Sequence, residues 1–345
     1  MSALYEQLHL PSSSFSSFSS FSSLPSSSSP AFAQDVLDGL AHRQRRIPCQ
    51  WLYDHLGSLL FERITQQPEY YPARTEIAIL EQVAGQVAEA AGPHATLIEL
   101  GSGSARKTPI VLRALDRPAA YVPVDISETF LASTTRTIAA GFPRLKVVPC
   151  VADFTRLTSL PPELPAGRRV VFFPGSTIGN LDPAAAEALL TRIGRVVGAG
   201  ALMVIGIDHT RDPARMVRAY DDAAGVTAAF NKNLLVRINR ELRGDFDAEA
   251  FHHVARFDSE QRRIEMHLVS ARTQRATVLG RAFDFAIGQS IHTENSYKPS
   301  PFQFLAMAHR AGWRQEQLWV EGAAGYAVHV LQSVSSPSSS SFSSL

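Results

Sequence analysis

Short apolar runs alternate with helix-like stretches in the first half of the chain, and this alternation restricts the fold more than any other feature. The runs are TLIEL (96–100), YVPVDIS (121–127), KVVPCVADF (146–154), RRVVFFPG (168–175) and ALMVIGID (201–208). Helical stretches such as 107–115 and 183–197 separate them. Continuous apolar strands with intervening helices are typical of a parallel sheet covered on both faces. The sequence therefore predicts a doubly wound α/β domain.

The pattern changes from about residue 211. FHHVARFD, RIEMHLVSAR and AFDFAIGQ tend to alternate between apolar and polar residues, with Met266 on one face and Glu265 and His267 on the other. This predicts an antiparallel meander with one solvated face. A helix at 301–311 and a strand near YAVHVLQ are expected to return to the parallel sheet. We therefore expect a smaller α+β domain inserted late in the chain.

The predicted domain boundaries follow from these changes and from the Ser-rich ends. The main domain is expected at 34–210, the insert at 211–296, and the return to the main domain at 297–332. Residues 1–33 and 333–345 are rich in Ser, with a few Phe. Such segments cannot bury enough apolar area to offset their ordering entropy, so both are predicted to be disordered tails.

The composition excludes several classes of protein. Of 345 residues, 45% are apolar, and 33 Lys and Arg against 32 Asp and Glu leave a net charge of +1, so we expect no nucleic-acid partner and no membrane surface. Cys49 and Cys150 are far apart, which argues against a disulfide framework or a zinc cluster. The N-terminus has no signal-peptide pattern, and GALMVIGI is too short to span a bilayer. We expect a soluble cytoplasmic protein.

The stretch EYYPARTEIAIL (69–80) predicts a helix start, with Thr75 as the cap and Leu80 among the residues on its apolar face. Helix propensity does not explain the preceding tyrosine pair, Tyr70 and Tyr71. Two phenols ahead of a cap suggest a surface that holds a polar ligand. A buried aromatic pair is the alternative, and it is favoured for Tyr71.

A nucleotide-like site is predicted where the first strand ends in IELGSGSARKT. Gly101 and Gly103 allow close backbone approach to a ligand, but Arg106 replaces the third glycine of the dinucleotide fingerprint. The alternative is the S-adenosylmethionine pattern, with Asp125 binding the ribose and Asp153 and Phe154 holding the adenine. The competing interpretation is that both acids only cap the segments that follow them.

Five blocks of sequence together resemble the histidine Nα-methyltransferase family of ergothioneine biosynthesis. They are YDHLGSLLFERITQQPEYYPARTE, ELGSGSARKT, FFPGSTIGNL, AYDDAAGVTAAFNKNLLVRIN and IHTENSYKPSPFQ. The resemblance implies a monomeric enzyme with the Rossmann-like fold of S-adenosylmethionine-dependent methyltransferases. It further implies transfer of three methyl groups from S-adenosylmethionine, as methyl-donating cosubstrate and without a metal, to the α-amine of L-histidine, giving hercynine.

The resemblance also implies residue roles. For the substrate, Tyr53 lies beside the amine as the catalytic residue, and Tyr70 lines the same site. Asn180 and Tyr220 hold the amino and carboxylate groups, while Glu294 and Ser296 hold the imidazole. The cofactor residues are Gly101, Lys107, Asp125, Asp153 and Phe154. Asn295 departs from the family, which more often has an apolar residue at that position, so the imidazole pocket is more polar if its side chain points inward.

The chemistry of these residues agrees with this role. Neutral donors and acceptors can fix a zwitterionic amino acid, and methyl transfer to an amine needs orientation and removal of one proton. Tyrosine is a weak base at neutral pH, so Tyr53 is expected to orient the amine lone pair or to pass its proton to water. His252, His253 and His267 lack convincing metal-ligand partners and are predicted to be solvated strand residues.

Three alternative functions agree with the sequence to different degrees. The enzyme could methylate another amino acid or small amine, which a panel of free amino acids would reveal. A non-catalytic binding module is less favoured, because the glycines and acids of the cofactor site are intact. An RNA methyltransferase would be expected to carry a basic stripe, which the balanced charge does not supply.

Overall fold

A computed structural model describes residues 29–103, 105–322 and 325–334. The helices are α1 (Pro30–Ala41), α2 (His55–Ile64), α3 (Tyr71–Ala91), α4 (Thr108–Ala114), α5 (Glu128–Gly141), α6 (Pro183–Val197), α7 (Pro213–Tyr220), α8 (Val226–Glu241) and α9 (Pro301–Arg310). The strands are β1 (Arg45–Arg46), β2 (Thr96–Leu100), β3 (Ala120–Asp125), β4 (Lys146–Val147), β5 (Cys150–Val151), β6 (Arg169–Phe173), β7 (Leu202–Asp208), β8 (Phe251–Asp258), β9 (Arg263–Ser270), β10 (Gln274–Val278), β11 (Arg281–Phe285), β12 (Ser290–Tyr297), β13 (Trp313–Glu321) and β14 (Tyr326–Ser333). Short 3₁₀ helices lie at Cys49–Leu52, Phe154–Arg156, Thr177–Asn180 and Ala248–Ala250.

The described chain divides into two compact units. The first contains the described residues up to Leu60 together with Ala223–Ala255 and Met266–Glu294. The second contains Phe61–Asp222, Arg256–Glu265 and the described residues from Asn295 onward. The boundaries of these compact units differ from the boundaries of the predicted domains. The predicted domain boundaries remain a prediction.

The second unit is built on an eight-stranded sheet of order β13-β14-β7-β6-β2-β3-β4, with β5 also paired to β3. The strands from β2 to β7 run parallel. Every residue of β2 and β7 is buried, because helices cover the sheet and leave no solvated face. Within this core the indole of Trp313 donates to the Leu190 carbonyl at 2.9 Å. The doubly wound α/β fold predicted from the sequence is confirmed.

Local signals fix most helix bounds in this unit. Helix α6 matches the predicted 183–197, since the Asp182 carboxylate caps the Ala185 N–H at 2.8 Å and Pro183 opens the first turn. The prediction that α3 begins at a Thr75 cap is wrong, because the helix begins at Tyr71. Pro72 fixes a helical φ in the first turn and so brings the start forward.

Two predicted strands differ from the structure. KVVPCVADF forms only the short pairings β4 and β5, because Pro149 between them has no N–H to donate to a ladder. The last strand, β14, joins the main sheet next to β7 but runs antiparallel to it. An unpredicted strand, β13, pairs antiparallel with β14 at the sheet edge.

The part after residue 211 contains more helix than its pattern suggested, since α7 and α8 precede the strands. Strands β10 and β11 do form an antiparallel hairpin. The prediction of a solvated face is wrong for β9. The Glu265 carboxylate is buried and accepts from Arg256 and Arg263, while buried His267 stacks on His292 at 4.7 Å. His267 is therefore not a solvated strand residue, whereas His252 is exposed.

The predicted tails fall mostly outside the described residues. Helix α1 begins at Pro30 and β14 ends at Ser333, so both elements reach into the ranges assigned to the tails. Among the described residues, none of the helices combines the length and apolar character needed to cross a bilayer.

Candidate active site

The loop after β2 has the backbone shape that its glycines predict. Gly101 and Gly103 have φ values of 69° and 45°, in the region that favours glycine. A Cβ added to Gly101 would lie 3.5 Å from the Phe154 ring, which is an ordinary van der Waals distance, so the loop lies beside that ring and the positive φ is what favours glycine. The Thr134 hydroxyl of α5 donates to the Gly103 carbonyl at 2.6 Å and holds the loop from the other side.

Asp125 ends β3 at the same edge of the sheet, because β2 and β3 are parallel neighbours. Its carboxylate accepts the Ser127 N–H at 3.0 Å and the Gly103 N–H at 3.3 Å. Burial raises the pKa of Asp125, and these backbone N–H groups oppose that rise. Asp125 thus caps the next segment, as the competing interpretation expected, and also ties the glycine loop to the end of β3.

Asp153 and Phe154 follow β5. One carboxylate oxygen of Asp153 accepts from both the N–H and the hydroxyl of Thr155, at 2.8 and 2.6 Å. The Phe154 ring packs edge-on against Phe173, at the end of β6, with centroids 5.5 Å apart. The acid is thus a local cap, and the ring is fixed beside the glycine loop.

Lys107 lies at the start of α4 and forms an ion pair with Glu76, a carboxylate that is 1% exposed. The Gly175 N–H donates to the same carboxylate at 2.8 Å. A Cβ at Gly206 would overlap Glu76 Oε1 and the Tyr326 hydroxyl, so only glycine fits at this position of β7. Lys107 is therefore the counter-ion of a buried acid, whatever further contact it makes.

A second buried ion pair joins Asp208, the last residue of β7, to Lys298 after β12. Nζ lies 2.9 Å from Oδ2, and the side chains are 1% and 0% exposed. The Tyr71 hydroxyl donates to the same oxygen at 2.7 Å, and the Thr210 N–H donates to Oδ1 at 3.0 Å. Burial works to lower the pKa of Lys298, but the Asp208 carboxylate more than offsets it, so the amine stays charged. Tyr71, 0% exposed, is the buried aromatic residue that the sequence favoured.

Lys298 also holds two residues that the resemblance assigns to the substrate. Its amine donates to the Tyr220 hydroxyl at 3.0 Å and to the Ser296 hydroxyl at 2.9 Å. The two hydroxyls lie 2.7 Å apart. Tyr70, also almost buried, packs its ring edge-on against Tyr220, with centroids 6.0 Å apart. Tyr70, Tyr220 and Ser296 therefore form one cluster around a buried cation.

One turn connects this cluster with the glycine loop. Gly175 and Ser176 follow β6, and Ser176 has a φ of 56°. The Gly175 N–H reaches the acid that pairs with Lys107, and the Ser176 hydroxyl accepts the Asp208 N–H at 3.1 Å. Hydrogen bonds and ion pairs, joined by the peptide bond between Gly175 and Ser176, therefore connect Lys107 to Lys298.

Asn180 ends the 3₁₀ helix that follows this turn, and it is partly exposed. A Cβ at Gly179 would lie 2.8 Å from the Tyr297 carbonyl, so the glycine lets the helix approach the end of β12. Asn295 alternates with Ser296 along β12, so the side chains of these two residues point to opposite faces of the strand. Among the described residues, the buried Asn295 amide oxygen has no hydrogen-bond partner.

Tyr53 belongs to the first unit and directly follows the 3₁₀ helix Cys49–Leu52. Its ring packs edge-on against Phe230 of α8, with centroids 5.3 Å apart. Asp54 accepts from the Asn233 amide at 2.8 Å and pairs with Arg240 at 2.7 Å, which anchors this segment to the same helix.

Glu294 is also in the first unit and is 7% exposed. The pKa of the neighbouring Cys49 thiol is raised to about 12, by burial first and then by the charge of Glu294. The His292 ring nitrogen lies 3.0 Å from the Glu294 carbonyl oxygen, which fixes the backbone around the acid.

Comparison with known proteins assigns the family. The sequence model of a family described as "Histidine-specific methyltransferase, SAM-dependent" matches residues 32–333. This chain belongs to that family. A histidine N-alpha-methyltransferase of Mycolicibacterium smegmatis is 40% identical over 307 residues, which are 88% of this chain and 95% of that protein. The family resemblance inferred from the sequence is thereby confirmed, and the protein is an S-adenosylmethionine-dependent methyltransferase.

One further relative and one solved structure differ in what they share with this chain. Ergothioneine biosynthesis protein 1 of Neurospora crassa is 31% identical over 312 residues, which are 83% of this chain and 33% of that protein. A possible exported protein from Bordetella parapertussis has a solved structure with a TM-score of 0.50 and 12% identity, covering 91% of this chain and 90% of that one. The latter likeness concerns the fold alone.

The residues of the second unit fit the methyl donor of this family. The donor has a ribose with two hydroxyls, and Asp125 supplies a partly buried carboxylate at the end of β3, where such fold families bind ribose. The Phe154 ring beside Gly101 offers an apolar face for an aromatic base. The positive φ values of Gly101 and Gly103 leave the loop backbone open to a ligand.

Glu76, Asp208 and Lys298 are the polar groups that the sequence analysis missed. Each of these residues lies within or next to a recognised sequence pattern. The local sequence around a charged residue does not show which residue it will pair with in the fold. Asp208 did carry a signal, since it is a third acid at the end of a parallel strand. The predicted roles of the site residues themselves stay predictions.

Proposed function

We propose that this methyltransferase transfers methyl groups from S-adenosylmethionine to the α-amine of L-histidine, up to the trimethylated betaine hercynine, as a first step toward ergothioneine. The contacts from Lys107 to Lys298 support the proposal most strongly. They tie the glycine loop to the cluster of Tyr70, Tyr220 and Ser296 through the turn at Gly175 and Ser176. A donor site and an acceptor site tied together in this way suit an in-line transfer, which depends on the relative position of the reacting atoms.

The bound donor would supply a sulfonium methyl group. On this proposal Gly101, Lys107, Asp125, Asp153 and Phe154 hold it, and Lys107 also neutralises Glu76. On the same proposal Tyr70 and Tyr220, whose rings pack edge-on against each other, line the site of the acceptor amino acid. Asn180, after the turn, adds an amide that can donate and accept.

The amine must lose its proton before each transfer, because an ammonium nitrogen has no lone pair. We propose that Tyr53 orients that lone pair or passes the proton to water. Glu294 is proposed to accept the imidazole N–H. These two roles come from the family resemblance, and both residues belong to the first unit.

Mass spectrometry of L-histidine incubated with the protein and S-adenosylmethionine tests the proposal. We expect products with one, two and three added methyl groups. L-phenylalanine and L-tryptophan serve as matched acceptors that lack the imidazole. Methylation of these acceptors at the rate for histidine would reject histidine specificity, and no methylation of any amino acid would reject the proposed function.

A further inference from the structure

A hydrogen bond runs beside the buried ion pair of Asp208 and Lys298. His209 follows Asp208 in the chain, and Pro299 follows Lys298. The Nδ1 atom of His209 lies 2.7 Å from the Pro299 carbonyl oxygen. A carbonyl oxygen can only accept, so His209 must donate from Nδ1. The ion pair and this hydrogen bond therefore join consecutive residues of the same two segments.

A second buried histidine fixes the tautomer of His209. The Nε2 atoms of His209 and His329, which are 5% and 0% exposed, lie 3.0 Å apart. The buried ring of Phe304 packs against both, with centroids 6.3 Å from His209 and 4.7 Å from His329. A neutral imidazole carries one N–H. Since His209 carries that proton on Nδ1, its Nε2 accepts, and His329 must donate from its own Nε2.

Both rings stay neutral near pH 7. Burial lowers the pKa of His209, against the effect of the Asp208 charge, and the charges of Arg262 and Arg211 lower it further. Burial also lowers the pKa of His329, to about 3, and the neighbouring His209 adds to this effect. A shared extra proton between the two rings is therefore not available to hold them together, and one ring must donate to the other.

Gln315 completes this chain of donors. Its side-chain amide lies 3.2 Å from Nδ1 of His329. Neutral His329 has its proton on Nε2, so Nδ1 accepts and the amide turns its NH₂ group toward it. An amide oxygen at this place would require a positively charged ring. Donation therefore runs in one direction, from Gln315 through His329 and His209 to the Pro299 carbonyl.

We propose that His209 is a positioning residue for the acceptor site. Its Nδ1–H holds the carbonyl that follows Lys298, whose amine donates to the Tyr220 hydroxyl at 3.0 Å. The Lys298 N–H donates to the Arg262 carbonyl at 2.7 Å, so the backbone is held on both sides of this lysine. Without the bond from His209, Lys298 can shift away from Tyr220. The inference rests on the proposed function, which assigns Tyr220 to the acceptor.

Two matched variants test this role. Leu and Asn have nearly the same shape, but only the Asn amide can donate from the place of the imidazole Nδ1. Calorimetry measures the Kd for L-histidine of the full-length protein saturated with S-adenosylhomocysteine. His209→Leu should raise this Kd by about two- to tenfold, the range for one neutral hydrogen bond, whereas His209→Asn should stay within about twofold of the wild type. The Kd for S-adenosylhomocysteine should be unchanged in both variants.

Nitrogen-15 NMR of the histidine-labelled wild type tests the direction of donation without any change of sequence in the measured protein. The two ring nitrogens of a neutral histidine have different chemical shifts, depending on which of them carries the proton. We expect the proton on Nδ1 of His209 and on Nε2 of His329. The signals are assigned by their loss in His209→Asn and in His329→Gln.

The outcomes distinguish the inference from the proposed function. A wild-type Kd for histidine in folded His209→Leu would overturn only the inference, and so would an equal loss of affinity in His209→Asn. A proton on Nε2 of His209, or a charged ring, would also overturn it. A loss of melting temperature and of both affinities together would replace it with a general structural role. Absence of histidine binding and methylation in the wild type would overturn the proposed function and the inference with it.

Discussion

Replacing Asp125 by Ala should weaken S-adenosylmethionine binding by about 10- to 150-fold. Each hydrogen bond from a ribose hydroxyl to this carboxylate is worth about 1.5–3 kcal/mol, and every 1.4 kcal/mol is about a factor of ten in Kd. The whole range corresponds to one such bond lost in full. The carboxylate also accepts from Gly103 and Ser127, so its removal loosens the glycine loop and adds to the loss.

Isothermal calorimetry with S-adenosylmethionine measures the change in Kd. Two further variants serve as comparisons. Asp125→Asn keeps an oxygen that can accept one backbone N–H, so it should show a smaller loss that reports mainly on the charge. Asp182→Ala is the matched control, since Asp182 caps α6 through the Ala185 N–H. It should cost about 1 kcal/mol of stability with unchanged cofactor affinity. An Asp125→Ala protein that is folded and binds the cofactor like the wild type would refute the ribose assignment.

Three other changes have defined outcomes. Glu99 is a buried residue of β2 whose carboxylate accepts from the hydroxyls of Thr108 and Tyr121. Burial raises its pKa from 4.5 to about 7, so this acid binds its proton more tightly in the folded state. Its contribution to stability is full below pH 4.5 and declines by about 3 kcal/mol as pH rises to 7. Urea unfolding across this range should show that this decline is absent in Glu99→Gln, and an equal dependence of stability on pH in both proteins would contradict the raised pKa of Glu99. Gly206→Ala should lower the free energy of unfolding by about 1–3 kcal/mol, because its Cβ overlaps Glu76 and Tyr326; a variant with wild-type stability would show that these side chains can move aside. Glu294→Ala should raise the KM for histidine by about ten- to a hundredfold and leave S-adenosylmethionine affinity unchanged, whereas a parallel loss of melting temperature and both affinities would indicate a structural role.

The sequence by itself determined the sheet and the family. Strands such as TLIEL and ALMVIGID are apolar along their whole length, and only a sheet covered on both faces can bury them. Helix α6 has a capping acid and a proline at its start, so its bounds follow from local chemistry. Asp125 could be placed at the end of its strand because the carboxyl ends of parallel strands lie at one edge of the sheet.

Only the tertiary structure decided which charges meet. Lys298 and Asp208 are ninety positions apart in sequence, and no local pattern links a lysine after one strand to an acid at the end of another. The same holds for Glu76 and Lys107. A buried charge is stable only with a partner, and the fold alone brings that partner within reach. Glu265 and His267 lie on the polar face of an alternating strand, so the sequence predicts that they are exposed to solvent. Both side chains are buried in the structure.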